Sequence, residues 1–223
     1  MSTDAEAVRV RVEAQLPDLS AWINPSGYRD SLAMCVLDSV FSLRASYAST
    51  VRVLDRYRAS RRAAGGDPNR DGIDDLIAAV EGAGGSDAAA GPALFDNRAL
   101  APGTARRGQA GVLKAAAVYQ VATKFHGVGI DTIADLHDDP DRAEAEWLSV
   151  RGLGRVSWAY VLMLTGTDGV KADVMVRRFV SAAVGEPAVT EERARLAVED
   201  AAELMGVSAR LLDHAIWRYQ REQ

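Results

Sequence analysis

"VRGLGRVSWAYVLMLTGTDGVKADVMVRRFV", residues 150–180, decides how the chain is read. Gly152-Leu153-Gly154 makes a Gly-x-Gly turn, an apolar segment runs on to Leu164, and Asp173 then stands among Lys171, Arg177 and Arg178. Upstream, "DRAEAEWLSV" (141–150) has helical spacing as well, so two helices are expected, joined by the four residues Arg151 to Gly154. Glycines at alternate positions open backbone conformations closed to other residues and let a ligand approach the main chain. Their N–H groups, with the N-terminus of the second helix, make a small anion site suited to a phosphate. Arg155 and Arg151 add charge. Such a hairpin grips the DNA backbone and reads no bases. An ordinary turn between helices with a glycine cap has the same pattern, so the turn alone leaves both readings open.

Composition narrows the field. The 223 residues suffice for one domain or two small ones, and 48% hydrophobic with 26% charged residues is ordinary for a globular protein. A single cysteine, Cys35, excludes an intramolecular disulfide, a cysteine zinc site and a four-cysteine iron–sulfur cluster. His126, His137 and His214 show no ligand spacing, so no protein metal site is expected. No apolar run approaches the ~20 residues that span a bilayer, and a cytoplasmic protein without membrane contact is expected.

The net charge of −5 argues against nucleic acid, but its distribution argues the other way. Between Phe41 and Arg62 six arginines (44, 52, 56, 58, 61 and 62) meet one acid, Asp55; between Val150 and Val180 five basic residues meet Asp168 and Asp173. Solvated helix faces would explain such runs too.

Apolar spacing is helical nearly throughout, and no strand is expected. Val8, Val12 and Leu16 mark a first helix stopped by Pro17. Leu32, Val36, Val40 and Leu43 mark a buried second one, with Cys35 on its apolar face. Ser46, Asp131, Thr190 and Ser208 are candidate caps, and Pro140 can open the helix that carries Trp147. Leu113, Ala117, Val121 and Phe125 mark another helix. The Gly-, Ala-, Asp- and Pro-rich stretch 63–106 reads as a long, partly mobile connection broken by one amphipathic piece, "DDLIAAV". About ten helices result, and the class is all-α.

With these pieces in order, the sequence resembles the helix-hairpin-helix DNA glycosylase superfamily, the group of endonuclease III and the alkylbase glycosylases. There, a turn Leu-Pro-Gly-Val-Gly-Arg precedes an apolar helix and a loop ending in a catalytic Asp; here "VRGLGR", "VSWAYVLML" and "GTDGVKADVMVRRF" follow that order. The resemblance extends more loosely to "DSLAMCVLDSVFSLRASYASTVRVLDRY", "KAAAVYQVATKF" and "LLDHAIWRY", about two-thirds of the chain, and leaves 63–106 without a counterpart. It implies a two-lobed fold, with residues 29–168 as a central lobe containing the hairpin (about 141–165). Residues 1–28 and 169–223 would form a second lobe that carries Asp173, with a DNA cleft between the two.

Two positions depart from the family. Arg151 replaces the turn proline, and Val156 stands where bifunctional members carry the Schiff-base lysine. The resemblance therefore implies a monofunctional DNA glycosylase of base-excision repair, acting as a monomer on double-stranded DNA without an organic cofactor. Lys171, two residues before Asp173, is a conceivable substitute nucleophile and equally a surface lysine. Asp173 would stabilise the sugar cation and orient water; an Asp there also suits the N-cap of a helix over 174–184. Gly152, Gly154, Arg155, Arg151, Arg177 and Arg178 would contact phosphates. Arg44 or Leu43, in "SLRASY", would fill the gap left by an extruded base, and Tyr47, Val156 and Tyr160 would line its pocket. Trp147 and Trp158 are assigned to the core. Family hairpins can also hold a monovalent cation through backbone carbonyls. The alternatives are a catalytically weak or inactive protein of the same fold that recognises DNA structure, and an all-α protein whose hairpin holds a protein partner.

Overall fold

A computed structural model describes residues 2–223. Twelve α-helices follow one another: α1 (Thr3–Gln15), α2 (Leu32–Ser42), α3 (Tyr47–Ala63), α4 (Ile73–Gly82), α5 (Ser86–Ala89), α6 (Lys114–Gly127), α7 (Ile133–Asp138), α8 (Pro140–Leu148), α9 (Arg155–Thr165), α10 (Val174–Val184), α11 (Glu191–Met205) and α12 (Ala209–Glu222). One 3-10 turn, Leu19–Ala21, lies after α1. Among the described residues two isolated bridges, Leu100 with Leu113 and Arg106 with Gln109, are the whole of the extended pairing. The protein is all-α.

The chain divides into two compact units, Tyr28–Thr165 and the residues up to Gly27 together with Gly166–Gln223. In the first, α2 is buried from Leu32 to Phe41, the expected fate of a helix that is apolar nearly all round. Helices α3, α4, α6 and α9 pack on it, and α8 packs on α6 and α9. Its core is rich in aromatic residues, among them Phe41, Tyr57, Phe95, Phe125, Trp147 and Trp158. In the second unit α1 lies on α11, and α10 contacts α1, α11 and α12. Its core is built mostly of valine and alanine around Phe179.

Local signals act where expected at three caps. Ser46, Thr190 and Ser208 accept the N–H groups of Ser49, Arg193 and Leu211 at the starts of α3, α11 and α12. Asp131 does not cap α7. Thr132 does, in a reciprocal box with Asp135, while the Asp131 carboxylate accepts the Asp74 N–H of α4 at 2.8 Å. A side chain that serves a helix 57 residues away gives no local signal.

The stretch 63–106 is likewise no loose connection, and it accounts for the helix number above ten. Ile73, Leu76 and Val80 bury one face of α4, and the Phe95 ring lies 5.1 Å from that of Phe41. Asp71, 2% exposed, accepts Arg61 Nε at 2.6 Å and Arg61 Nη2 at 2.9 Å, and the Tyr57 hydroxyl at 2.9 Å. One of its acids is thus a paired buried carboxylate, and Ala89, Ala90 and Ala101 are buried in the core.

Candidate functional site

The hairpin is assembled from its buried side. Asp139 caps α8 by accepting the Arg142 N–H at 3.2 Å, and Pro140 takes the first helical position. Trp147, fully buried at the end of α8, donates Nε1–H to the Ser157 hydroxyl of α9 at 3.0 Å. Ser157 in turn donates to the Gly154 carbonyl at 2.7 Å and accepts the Gly154 N–H at 2.9 Å. One hydroxyl thus joins both helices to the turn, while Leu153 inserts as a buried anchor.

The two glycines act differently. Gly152 has φ +92°, and a Cβ there would stand 2.6 Å from Ala101 Cβ and 2.9 Å from Thr104 Cγ2. Only glycine fits both the backbone and the space. A Cβ on Gly154 would meet nothing within 4 Å. Because the Gly154 N–H is bonded to Ser157, the donors left at this helix start are those of the first turn of α9, at Arg155 and Val156. Arg155 extends outward, its side chain 79% exposed and 3.9 Å from Glu144. Arg151 donates to the Thr104 carbonyl at 2.9 Å, tying the turn to the segment after α5. Val156 is half-buried.

The turn between α2 and α3 has its own device. Arg44 sits at φ +49°, an uncommon conformation for a residue with a Cβ, and its side chain is exposed. Leu43 is half-buried. Lys114, 2% exposed at the start of α6, donates Nζ–H to the Phe41 carbonyl at 2.9 Å and the Leu43 carbonyl at 2.6 Å. A cation on the last carbonyls of α2 satisfies orphaned acceptors and suits the negative end of that helix. Burial lowers this amine to about 8.

Around Asp38 the structure gathers residues that the sequence leaves scattered. Asp38 is 1% exposed in the middle of α2 and accepts the Tyr28 hydroxyl at 2.8 Å and, more weakly, the Tyr160 hydroxyl at 3.4 Å. Burial first, then the charge of Asp38, pushes both phenols upward. Tyr47, 43% exposed at the start of α3, is close enough to act electrostatically on both phenols, and the Arg58 guanidinium lies 5.7 Å from the Tyr28 ring centre. Tyr28 and Tyr160 thus meet at Asp38, and Tyr47 acts on both from the start of α3. An acid at position 38 inside an apolar helical run is the signal for this cluster in the sequence.

Asp173, Arg177 and Arg178 belong to the other unit. Asp173 caps α10: its Oδ1 accepts the Met175 N–H at 2.7 Å and the Val176 N–H at 3.2 Å. Arg177 donates Nε–H to the Val189 carbonyl at 3.1 Å, and Arg178 is exposed one residue on. The Asp173 N–H donates back to the Lys171 carbonyl at 2.6 Å, closing a tight turn, while the Lys171 N–H donates to Asp213 of α12 at 2.9 Å. Asp213 is buried, and burial followed by the charge of Asp173 raises its carboxyl well above the ordinary range. Nothing local to "LLDHAIWRY" marks that acid.

Among the described residues no group of three His, Cys, Asp or Glu side chains is placed to hold a metal ion, and no helix is long and apolar enough to cross a membrane. Neither a curated protein nor a solved structure matches the chain. A family model does, over residues 6–221, so the chain belongs to the domain-of-unknown-function family DUF8548.

Proposed function

We propose that the protein is a monofunctional DNA glycosylase that hydrolyses the N-glycosidic bond of a damaged or mismatched base. The observation that carries this reading is the Asp173 carboxylate, held at the start of α10 by two backbone N–H groups and followed by two arginines. Breaking a glycosidic bond develops positive charge on the sugar, and a fixed carboxylate lowers the barrier by meeting that charge where it forms. The C1′–N bond breaks with its electron pair leaving on the base. A water oxygen then bonds to C1′ and gives its proton to Asp173. Val156, at the position after Gly-Arg, has no nucleophile to form a Schiff base, so strand cleavage is not part of the reaction.

The remaining residues divide the binding. The α8–α9 hairpin, the exposed Arg52 and Arg62 of α3 and the arginines of α10 neutralise phosphates, which supplies sequence-independent affinity for double-stranded DNA. Arg44, projecting from its left-handed turn, fills the place of the extruded base. Tyr47, Tyr160 and Val156 line the pocket that receives the base, with Asp38 and Tyr28 behind them.

The test is a panel of duplexes carrying one alkylated purine, uracil, oxidised guanine or mismatched adenine, scored for free base and abasic sites beside Asp173→Asn. Asn caps helices as well as Asp does, so the variant stays folded while losing the carboxylate. Release from one lesion, at least a thousandfold lower in the variant, is the expected result. Salt-dependent duplex binding without release would instead identify a DNA-binding protein without this chemistry, and no salt-sensitive affinity would remove DNA from the account.

A further inference from the structure

The segment between α9 and α10 is tied to α12 at two points one helical turn apart. At the first, Asp168 accepts the N–H groups of Arg210 at 2.8 Å and Ala209 at 3.2 Å, the opening donors of α12. At the second the direction reverses, and Asp213 of α12 accepts the Lys171 N–H at 2.9 Å. Val170 and Ala172, on either side of Lys171, are buried in the core of this unit. The Lys171 amide is therefore presented inward, where a donor without a partner would be costly. The carbonyl of the same residue accepts the Asp173 N–H at 2.6 Å. A single amino acid, Lys171, thus links the buried carboxyl of α12 to the backbone of the residue that caps α10.

We propose that Asp213 is the positioning residue of Asp173, holding the Lys171–Asp173 turn from α12 through the hydrogen bond it accepts from the Lys171 N–H. This inference rests on Asp173 being the group that meets the sugar. The surroundings of Asp213 favour its neutral form. The charges acting on Asp213 are Asp173, at the cap of α10, which opposes a second negative charge, and Lys171, which favours one. Burial outweighs Lys171 and raises the Asp213 carboxyl well above the ordinary range. Asp173 is the shallower of the two acids, half-exposed and oriented by two N–H groups. A neutral acid at 213 offers its carbonyl oxygen to the Lys171 N–H, and an amide would do the same.

Two variants and one spectroscopic reporter test this. With the lesion duplex that the protein processes, Asp213→Leu, which removes the acceptor, lowers kcat at least tenfold and leaves KM within twofold. Asp213→Asn, which keeps the acceptor and cannot ionise, restores at least half of the wild-type kcat. The Lys171 backbone amide is followed by 15N NMR without substrate. In the wild type its shift titrates with a midpoint well above the ordinary carboxylate value of about 4, in Asp213→Asn it does not titrate, and in Asp213→Leu it exchanges with solvent at least tenfold faster. Wild-type kcat in Asp213→Leu, or a Lys171 amide as protected there as in the wild type, overturns the proposal, as does an amide midpoint near 4. If the wild type releases no base from any lesion while the amide behaves as stated, Asp213 holds the turn and it is the glycosylase reading that fails.

Discussion

Two turns in this protein lead into a helix N-terminus, and they are held by opposite means. The turn at 151–154 is held mainly by apolar and neutral groups: Ser157 bonds the N–H and carbonyl of Gly154 and the Trp147 indole, Leu153 is buried, the approach of Ala101 and Thr104 forbids a side chain at Gly152, and Arg151 adds one charged tie to the Thr104 carbonyl. The turn at 171–173 is held by acids, with Asp168 and Asp213 on the α12 side and Asp173 on α10. A neutral frame keeps its main-chain geometry whatever the pH. A frame of carboxylates places charge, and its stability changes with protonation.

The largest expected effect strikes the neutral frame. Trp147→Ala removes a fully buried indole, 6.3 Å from the Phe125 ring and 6.2 Å from that of Trp158, together with the hydrogen bond to Ser157. A loss of about 3–5 kcal/mol is expected, read as a lower urea midpoint at unchanged m. A loss below about 1 kcal/mol would mean that the hairpin does not depend on this anchor.

The two glycines give a sharper and smaller contrast. Gly152→Ala meets both a left-handed φ and a 2.6 Å approach, and should cost about 1–3 kcal/mol. Gly154→Ala enters open space and should cost under about 1 kcal/mol. Equal costs in thermal unfolding would contradict the packing of 101–104 against the turn.

Asp213→Asn probes the acidic turn, and its effect depends on pH. A carboxyl whose folded-state value is raised binds more protons folded than unfolded between those two values. Wild-type stability therefore falls as pH rises above the unfolded value of about 4. The amide has no such proton to lose. The variant should gain on the wild type in melting temperature from pH 4 upward, and the gain should vanish below pH 4. A variant that loses ground at neutral pH would show Asp213 to be an ionised, stabilising acid.

Sequence alone determined what depends on neighbours within a turn or two. Ser46, Thr190, Ser208 and Asp173 each bond an N–H two or three residues ahead, so the starts of α3, α11, α12 and α10 are legible from short patterns. The helical period, the all-α class and the burial of Cys35, Trp147 and Trp158 follow from apolar spacing in the same way. Tertiary structure alone decided the partners of isolated polar groups. Asp38 finds Tyr160 across 122 residues, Lys114 finds Phe41 across 73, and Asp213 finds Lys171 across 42. It also brought residues 101–104, the end of the stretch 63–106, against the hairpin turn. The physical reason is one of range. Helix propensity and capping act within a few residues, whereas a buried charge is tolerated only where the fold brings it a partner, and that partner can come from anywhere in the chain.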